Sequence, residues 1–257
     1  MEKEALSRRD FLKVSGLSMA SFVLRPEVVE RGSPGVISKL ETDLPLYALT
    51  IDDCFEPDSL VGVLDLLKQC HLQATFFPVG RAAIICDSRH PEIFKRLARE
   101  GHTIGYHTME HSEKGTVLQT TGGEWNEDYD EWIETFRRLL GRDIFSLAVK
   151  RYARAPYGEF TSNFLDMCQN KNLTPYFWSA GSSWLVNDWP LEQGDILLLH
   201  ATEEILSLMR EKIQYVSGDL RGTSITCFDD EAYCSYFYPS EGMLRRRKNF
   251  SGYIQGA

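Results

Sequence analysis

The sequence predicts an α/β fold, a parallel sheet covered by helices and closed into a barrel. Three observations predict it. From Leu44 onward, short apolar runs alternate with helical patterns. Several of the runs are apolar without alternation, as strands buried on both faces must be. The residues suited to chemistry fall at the ends of those runs or just after them, where parallel barrels carry their function.

Taken in order, "LYALTI" reads as the first strand, and "DSLVGVLDLLKQC" as a helix capped by Asp58 with Leu60, Val61, Leu64 and Leu67 at helical spacing. "ATFFPVG" is a second strand. "PEIFKRLAREG" has Pro91 at its start and Gly101 at its stop, the usual asymmetry of a helix. "HTIGYH" is a third strand, followed by a Gly-rich loop, "TTGGEW", and a helix from Glu127 to Leu140. "LAVKRYARAPYG" is a strand entering a turn, "TSNFLDMCQNKN" a capped helix, "TPYFWSAG" a strand, "GDILLLHA" an almost wholly apolar strand and "EEILSLMREKIQYV" a helix. No internal repeat or low-complexity segment is present.

Composition narrows the function. With 257 residues, 43% apolar and 12% aromatic, the chain can fill a sizeable core. A net charge of -9 argues against a nucleic-acid partner, which needs a basic face. The "RRRK" cluster at Arg245 to Lys248 reads as a solvated tail rather than an anionic-surface contact. The six cysteines, Cys54, Cys70, Cys86, Cys168, Cys227 and Cys234, form no CxxC pair and indicate neither a zinc knuckle nor a disulfide scaffold. Near the N-terminus, Val14 to Leu24 is too short and too mild to span a bilayer.

Ser7 to Lys13, "SRRDFLK", resembles the twin-arginine export signal. The resemblance implies export of a folded protein by the twin-arginine machinery to the periplasm, cell envelope or exterior. Residues 1–24 are assigned to that signal peptide, 25–43 to a linker, 44–225 to the barrel and 226–257 to a C-terminal extension.

"GHTIGYHTMEH", Gly101 to His111, holds three of the six histidines. His107 and His111 are four apart, so on a helical turn or in a tight loop their rings can converge on one ion. The plainer reading is a solvated helix face or a pair satisfied by backbone. Asp52 and Asp53 end the first apolar run. Asp53, His107 and His111 make a two-His, one-carboxylate set that leaves positions open for water and substrate. At a strand end the backbone turns, so Asp53 can hold metal while Asp52 faces the water as general base. His200 is a candidate acid, the backbone N–H near Tyr157 a candidate oxyanion donor, and Arg154 can hold Asp52 ionised. Each has a plain alternative: a capped strand end, an ordinary turn, a surface ion pair.

"TIDD", "HTMEH", "RAPYG" and "LLLH", in that order, resemble the polysaccharide deacetylases, the NodB-homology domain of carbohydrate esterase family 4, over residues 44 to 215. The resemblance implies an irregular (β/α) barrel of the NodB-homology type that removes N-acetyl groups from an N-acetylated polysaccharide or oligosaccharide with one divalent metal. It implies Asp53, His107 and His111 as metal ligands, Asp52 as base, Arg154 as its orienter, Tyr157 as backbone donor and His200 as acid. It also suggests Trp184, Trp189 and Leu198 as walls of the acyl pocket, with core packing the plain reading of Leu198. Zinc leads as the metal, with cobalt, nickel and iron compatible with the same ligands.

One departure stands out. The family has an aspartate before a tryptophan in its fourth motif, and "WSAGSSW" has Ser183 there and no carboxylate. Without it, Arg154 is expected to be less constrained and His200 less basic, unless Asp188 substitutes. Hydrolysis of another small amide and a non-catalytic carbohydrate-binding protein are the competing readings.

Overall fold

Strand β1 (Leu46–Asp53) shows why its run is apolar without a period. Side chains alternate between the two faces of a strand, and here both faces are covered. Tyr47, Leu49 and Ile51 pack in the larger core beneath the helices. Leu46 and Ala48 face the other way, into a smaller core with Phe77, Tyr152, Tyr176 and Ile196.

The structure, a computed structural model, describes residues 35–213 and 220–229. The twin-arginine pattern, most of the expected linker and the "RRRK" cluster lie outside the described residues. Among those described, seven strands form one wholly parallel sheet: β1, β2 (Thr75–Pro78), β3 (Thr103–Tyr106), β4 (Val149–Ala153), β5 (Thr174–Pro175), β6 (Ile196–His200) and β7 (Arg221–Thr223). Their order is β5-β4-β3-β2-β1-β6, with β7 beside the first half of β1. The sheet curls into a half-barrel. Single bridges span the gap between β5 and β6, Ile37 to Tyr176 and Ala180 to Leu197. Ile37 and Lys39, in the stretch assigned to the linker, thus take part in the sheet's edges.

The helices are α1 (Pro57–Gln69), α2 (Gly80–Arg89), α3 (Ile93–Arg99), α4 (Lys114–Val117), α5 (Gly122–Leu140), α6 (Arg142–Ala148), α7 (Ser162–Lys171), α8 (Ser182–Asn187), α9 (Glu203–Lys212) and α10 (Thr226–Asp229). None of them is long and apolar enough to cross a membrane. α10 closes the inside of the sheet: Ile225, Cys227 and Phe228 complete the smaller core, and the Ile225 N–H donates to Thr75 Oγ1.

Several expectations need correction. α1 begins at Pro57, and Asp58 does not cap it but bonds His90 at 2.7 Å. α3 starts at Ile93 rather than Pro91. "TTGGEW" is not a loop. Thr121 and Glu124 form a reciprocal capping box, and α5 starts at Gly122. "TPYFWSAG" yields only two strand residues because the next carbonyls, of Tyr176 and Phe177, accept from the Arg154 side chain instead of a neighbouring strand. Cys54, Cys86 and Cys168 are free thiols, but Cys227 is disulfide-bonded, which the spacing gave no reason to expect.

Candidate metal centre

The inner face of the sheet changes character along its length. On β1 the apolar Leu46 and Ala48 give way to Thr50 and Asp52. β6 lies alongside in register, Thr50 opposite Leu198 and Asp52 opposite His200, so these four side chains share one face. Arg154, just past β4, completes the polar end.

Asp53 escapes the strand alternation through a three-residue turn: the Cys54 N–H donates to the Asp52 carbonyl at 2.8 Å, with φ of 65° at Asp53 and 62° at Cys54. Thr108 (φ 68°), His111 (48°) and Tyr157 (58°) also adopt left-handed backbone. Each such non-glycine residue costs about 1–3 kcal/mol and persists only where its surroundings impose it. For the His107–His111 loop those surroundings are visible. Thr108 Oγ1 accepts the His111 N–H, and Asp128 on α5 accepts the Met109 N–H with both oxygens. The Thr108 and Met109 carbonyls accept the first two N–H groups of α2, Gly80 and Arg81, each at 2.9 Å. A Cβ on Gly80 would lie 2.1 Å from Met109 Sδ, so any larger residue there would displace that side chain.

The result is convergent. Ligand atoms of Asp53, His107 and His111 lie within 4.8 Å of one another. Asp53 Oδ1 is 3.1 Å from His107 Nε2 and 3.6 Å from His111 Nε2, and Asp53 Oδ2 is 3.7 Å from His200 Nε2. His107 Nδ1 donates to the Arg154 carbonyl at 2.8 Å, which fixes the ring and points Nε2 at the carboxylates. Two imidazole nitrogens and a carboxylate oxygen in this arrangement fit a divalent ion.

The electrostatics agree. Burial opposes the Asp53 charge, but the His107 hydrogen bond and the nearby imidazoles outweigh it and hold the carboxyl well below its usual range. Burial also opposes charge on His107, yet Asp52 and Asp53 prevail and raise its pKa. At His111 burial wins and the pKa falls, favouring the neutral, ligating form.

Arg154 overturns the expectation of a loose guanidinium. It is fully buried and makes four hydrogen bonds: to Asp52 Oδ1 (2.7 Å), Thr50 Oγ1 (2.8 Å), the Tyr176 carbonyl (3.1 Å) and the Phe177 carbonyl (3.0 Å). The Phe77 ring lies 4.3 Å beneath it. The Tyr176 and Phe177 main-chain oxygens brace it although the fourth motif of this chain holds no carboxylate. Asp188 does not substitute: it pairs with Lys212 at 2.7 Å, with its side chain 71% exposed.

Leu198 is buried on the same face as His200, and Trp184 packs in the larger core with its indole N–H lacking a protein acceptor. Trp189 is exposed. Sequence reasoning missed Thr108 and Asp128, which hold the histidine loop, and the rings of Phe55 and Tyr157, whose centroids lie 6.2 and 4.7 Å from that of His111. The first pair act through tertiary contacts without a local signature. Tyr157 was noticed only for its backbone.

Residues 39–176, more than half of the chain, match the family model of polysaccharide deacetylase. The chain belongs to that family. It is 32% identical over 168 residues to the peptidoglycan-N-acetylglucosamine deacetylase of Bacillus cereus, covering 60% of this chain and 55% of that protein. To the chitooligosaccharide deacetylase of a Bradyrhizobium species it is 33% identical over 132 residues, covering 51% of this chain and 55% of that one. It thus spans little more than half the length of either relative. Among solved structures, a family 4 carbohydrate esterase from Bacillus anthracis superposes with a TM-score of 0.60 at 24% identity, over 76% of this chain and 86% of the other. A CE4 family pseudoenzyme from the same organism gives 0.63 at 18%, over 77% and 70%. Both likenesses show the fold.

Proposed function

We propose that this protein is a metal-dependent hydrolase that removes N-acetyl groups from an N-acetylated polysaccharide or oligosaccharide. The observation that carries the reading is the convergence of Asp53, His107 and His111 beside an Asp52 held by a buried Arg154. Its named relatives, deacetylases of peptidoglycan and chitooligosaccharides, support the substrate class.

Asp53, His107 and His111 would hold a divalent ion, zinc first and otherwise cobalt, nickel or iron, which supplies Lewis acidity to the amide oxygen and makes water acidic enough to attack. Asp52 takes the proton of the attacking water, in an orientation fixed by Arg154. The Tyr157 backbone N–H donates to the developing oxyanion. His200, across the site from Asp52 and in register with it, delivers a proton to the departing amine. The acyl methyl lies against Leu198 and Trp184. Export by the twin-arginine route, to the periplasm, cell envelope or exterior, is supported by Ser7 to Lys13; replacing Arg8 and Arg9 together by lysine should leave the protein in the cytoplasm.

The test is acetate release from a panel of N-acetylated glycans by the full chain, metal-stripped and resupplied with zinc or cobalt, with Asp52→Asn alongside. Release that depends on the metal and vanishes in Asp52→Asn is expected. Metal binding with no acetate from any glycan would sink the reading and favour another small amide or a purely binding role.

A further inference from the structure

Asp53 ends β1 and the His107–His111 loop leaves β3, with β2 between them, so the spacing of the three ligands depends on what joins the two segments. α2, which rises from the end of β2, touches both. On one side the Val79 N–H at its N-cap donates to the Asp53 carbonyl at 3.1 Å, and the Cys86 thiol, two turns further along, donates to the Cys54 carbonyl at 3.0 Å. On the other side the Gly80 and Arg81 N–H groups hold the Thr108 and Met109 carbonyls, and the Arg81 side chain donates to Glu110, the neighbour of His111, at 2.6 Å. The helix is itself seated, since the Trp132 indole N–H on α5 donates to the Pro78 carbonyl at 3.0 Å.

The Cys86 bond is the member of this set that the side chain alone supplies to the Asp53 side. A carbonyl only accepts, so the thiol is the donor. Asp53 and Cys54 both hold left-handed backbone, at φ of 65° and 62°, and such residues relax unless their surroundings impose the conformation. Val79 secures the carbonyl of the first and Cys86 that of the second. A thiol is a weak donor, but Cys54 and Cys86 are both fully buried, so water cannot take its place and losing it leaves a buried carbonyl orphaned.

We propose that Cys86 is a positioning residue for the metal centre: through the Cys54 carbonyl it fixes the turn that aims the Asp53 carboxylate, and so makes α2 the clasp that sets Asp53 against His107 and His111. The assignment rests on the metal-centre reading and deepens it, extending control of the site to a residue that is not a ligand.

Zinc affinity of the full chain, measured by competition with a chelating dye, tests it, with the visible absorption of the cobalt-loaded protein as a report on ligand geometry. Cys86→Ala removes the donor, and Cys86→Ser keeps one on a smaller side chain. The zinc Kd should rise about tenfold or more in Cys86→Ala and stay within about threefold of wild type in Cys86→Ser, with the cobalt spectrum altered in Cys86→Ala alone. Packing by itself ranks the two differently. Both lose the volume of sulfur, and a hydroxyl among the apolar neighbours of Cys86 does at least as much harm as a methyl. Urea unfolding of the metal-free proteins reads that packing contribution separately. Cys86→Val, which keeps volume without a donor, takes the place of Cys86→Ala if the latter fails to fold, with the same rise in Kd expected. Wild-type affinity and spectrum in the donor-less variant, or equal losses in it and Cys86→Ser, would overturn the proposal. If zinc affinity follows the expected order but no glycan yields acetate, the clasp stands and the deacetylase reading falls. Acetate release with zinc affinity unchanged in the donor-less variant gives the reverse.

Discussion

Replacing Arg154 by lysine conserves charge and removes geometry. The guanidinium reaches four acceptors in three directions: Asp52 and Thr50 through one terminal nitrogen, the Phe177 carbonyl through the other and the Tyr176 carbonyl through Nε. An ammonium is a point donor, and from the same stem it can serve Asp52 and Thr50 but not both carbonyls. The buried Tyr176 carbonyl is then orphaned at about 1–3 kcal/mol and the part-buried Phe177 carbonyl adds less, so the substitution should cost about 1–4 kcal/mol. That is a large share of the 5–15 kcal/mol expected for a domain. Equilibrium unfolding in urea measures it directly, with the slope checked to remain that of wild type. A loss below about 1 kcal/mol would refute the reasoning, because it would mean the carbonyls are satisfied without Arg154. Arg154→Met should cost at least as much, since it leaves the Asp52 carboxylate buried and unpaired.

Asp188→Asn should leave both stability and any acetate release within about 0.5 kcal/mol of wild type, because it removes only an exposed pair with Lys212; a tenfold fall in kcat/KM would restore Asp188 as a brace. His102 is buried, accepts the Ala74 N–H through Nδ1 and has its pKa driven down to about 3 by burial, aided by Arg96. The unfolded chain binds this proton below about pH 6.5 and the folded chain does not. Stability is therefore lost as pH falls from 6.5 toward 3, by a few kcal/mol, and the difference in pH slope between wild type and His102→Gln should show it. Gly194→Ala places a Cβ 1.9 Å from the Leu40 carbonyl at φ of 81°, so it should lower the urea midpoint clearly, where a neutral result would argue against that contact. His111→Ala should abolish tight zinc binding in calorimetry while leaving the fold intact, since the loop is held by Thr108 and Asp128 rather than by the imidazole.

What could be read from the sequence divides by the range of the interaction that makes it. β1, β2, β3 and β6 were legible because an apolar run is itself the cause of burial. The clustering of Asp53, His107 and His111 was legible because strand ends in a parallel sheet meet. The start of α5 was legible in principle, since Thr121 and Glu124 carry the spacing of a capping box, but the two intervening glycines suggested a loop. α2 was not legible locally. Its first residues have no side-chain cap, and the acceptors of its opening N–H groups are carbonyls more than twenty residues downstream. The anchoring of Arg154 was hidden for the same reason: carbonyl oxygens are present at every residue, so nothing in the side chains of Tyr176 and Phe177 announces their use.

That last feature bears on how such a site can change over generations. A brace made of a carboxylate disappears with one codon; a brace made of main-chain oxygens survives every substitution that leaves the backbone in place. Once Tyr176 and Phe177 turned their carbonyls toward Arg154, the side chains of the following segment were released from that duty. Ser179 to Ser183 are thereby free of that duty, while Trp178, whose ring lies 5.9 Å from the guanidinium, and the path of the chain at 176–177 are still felt there.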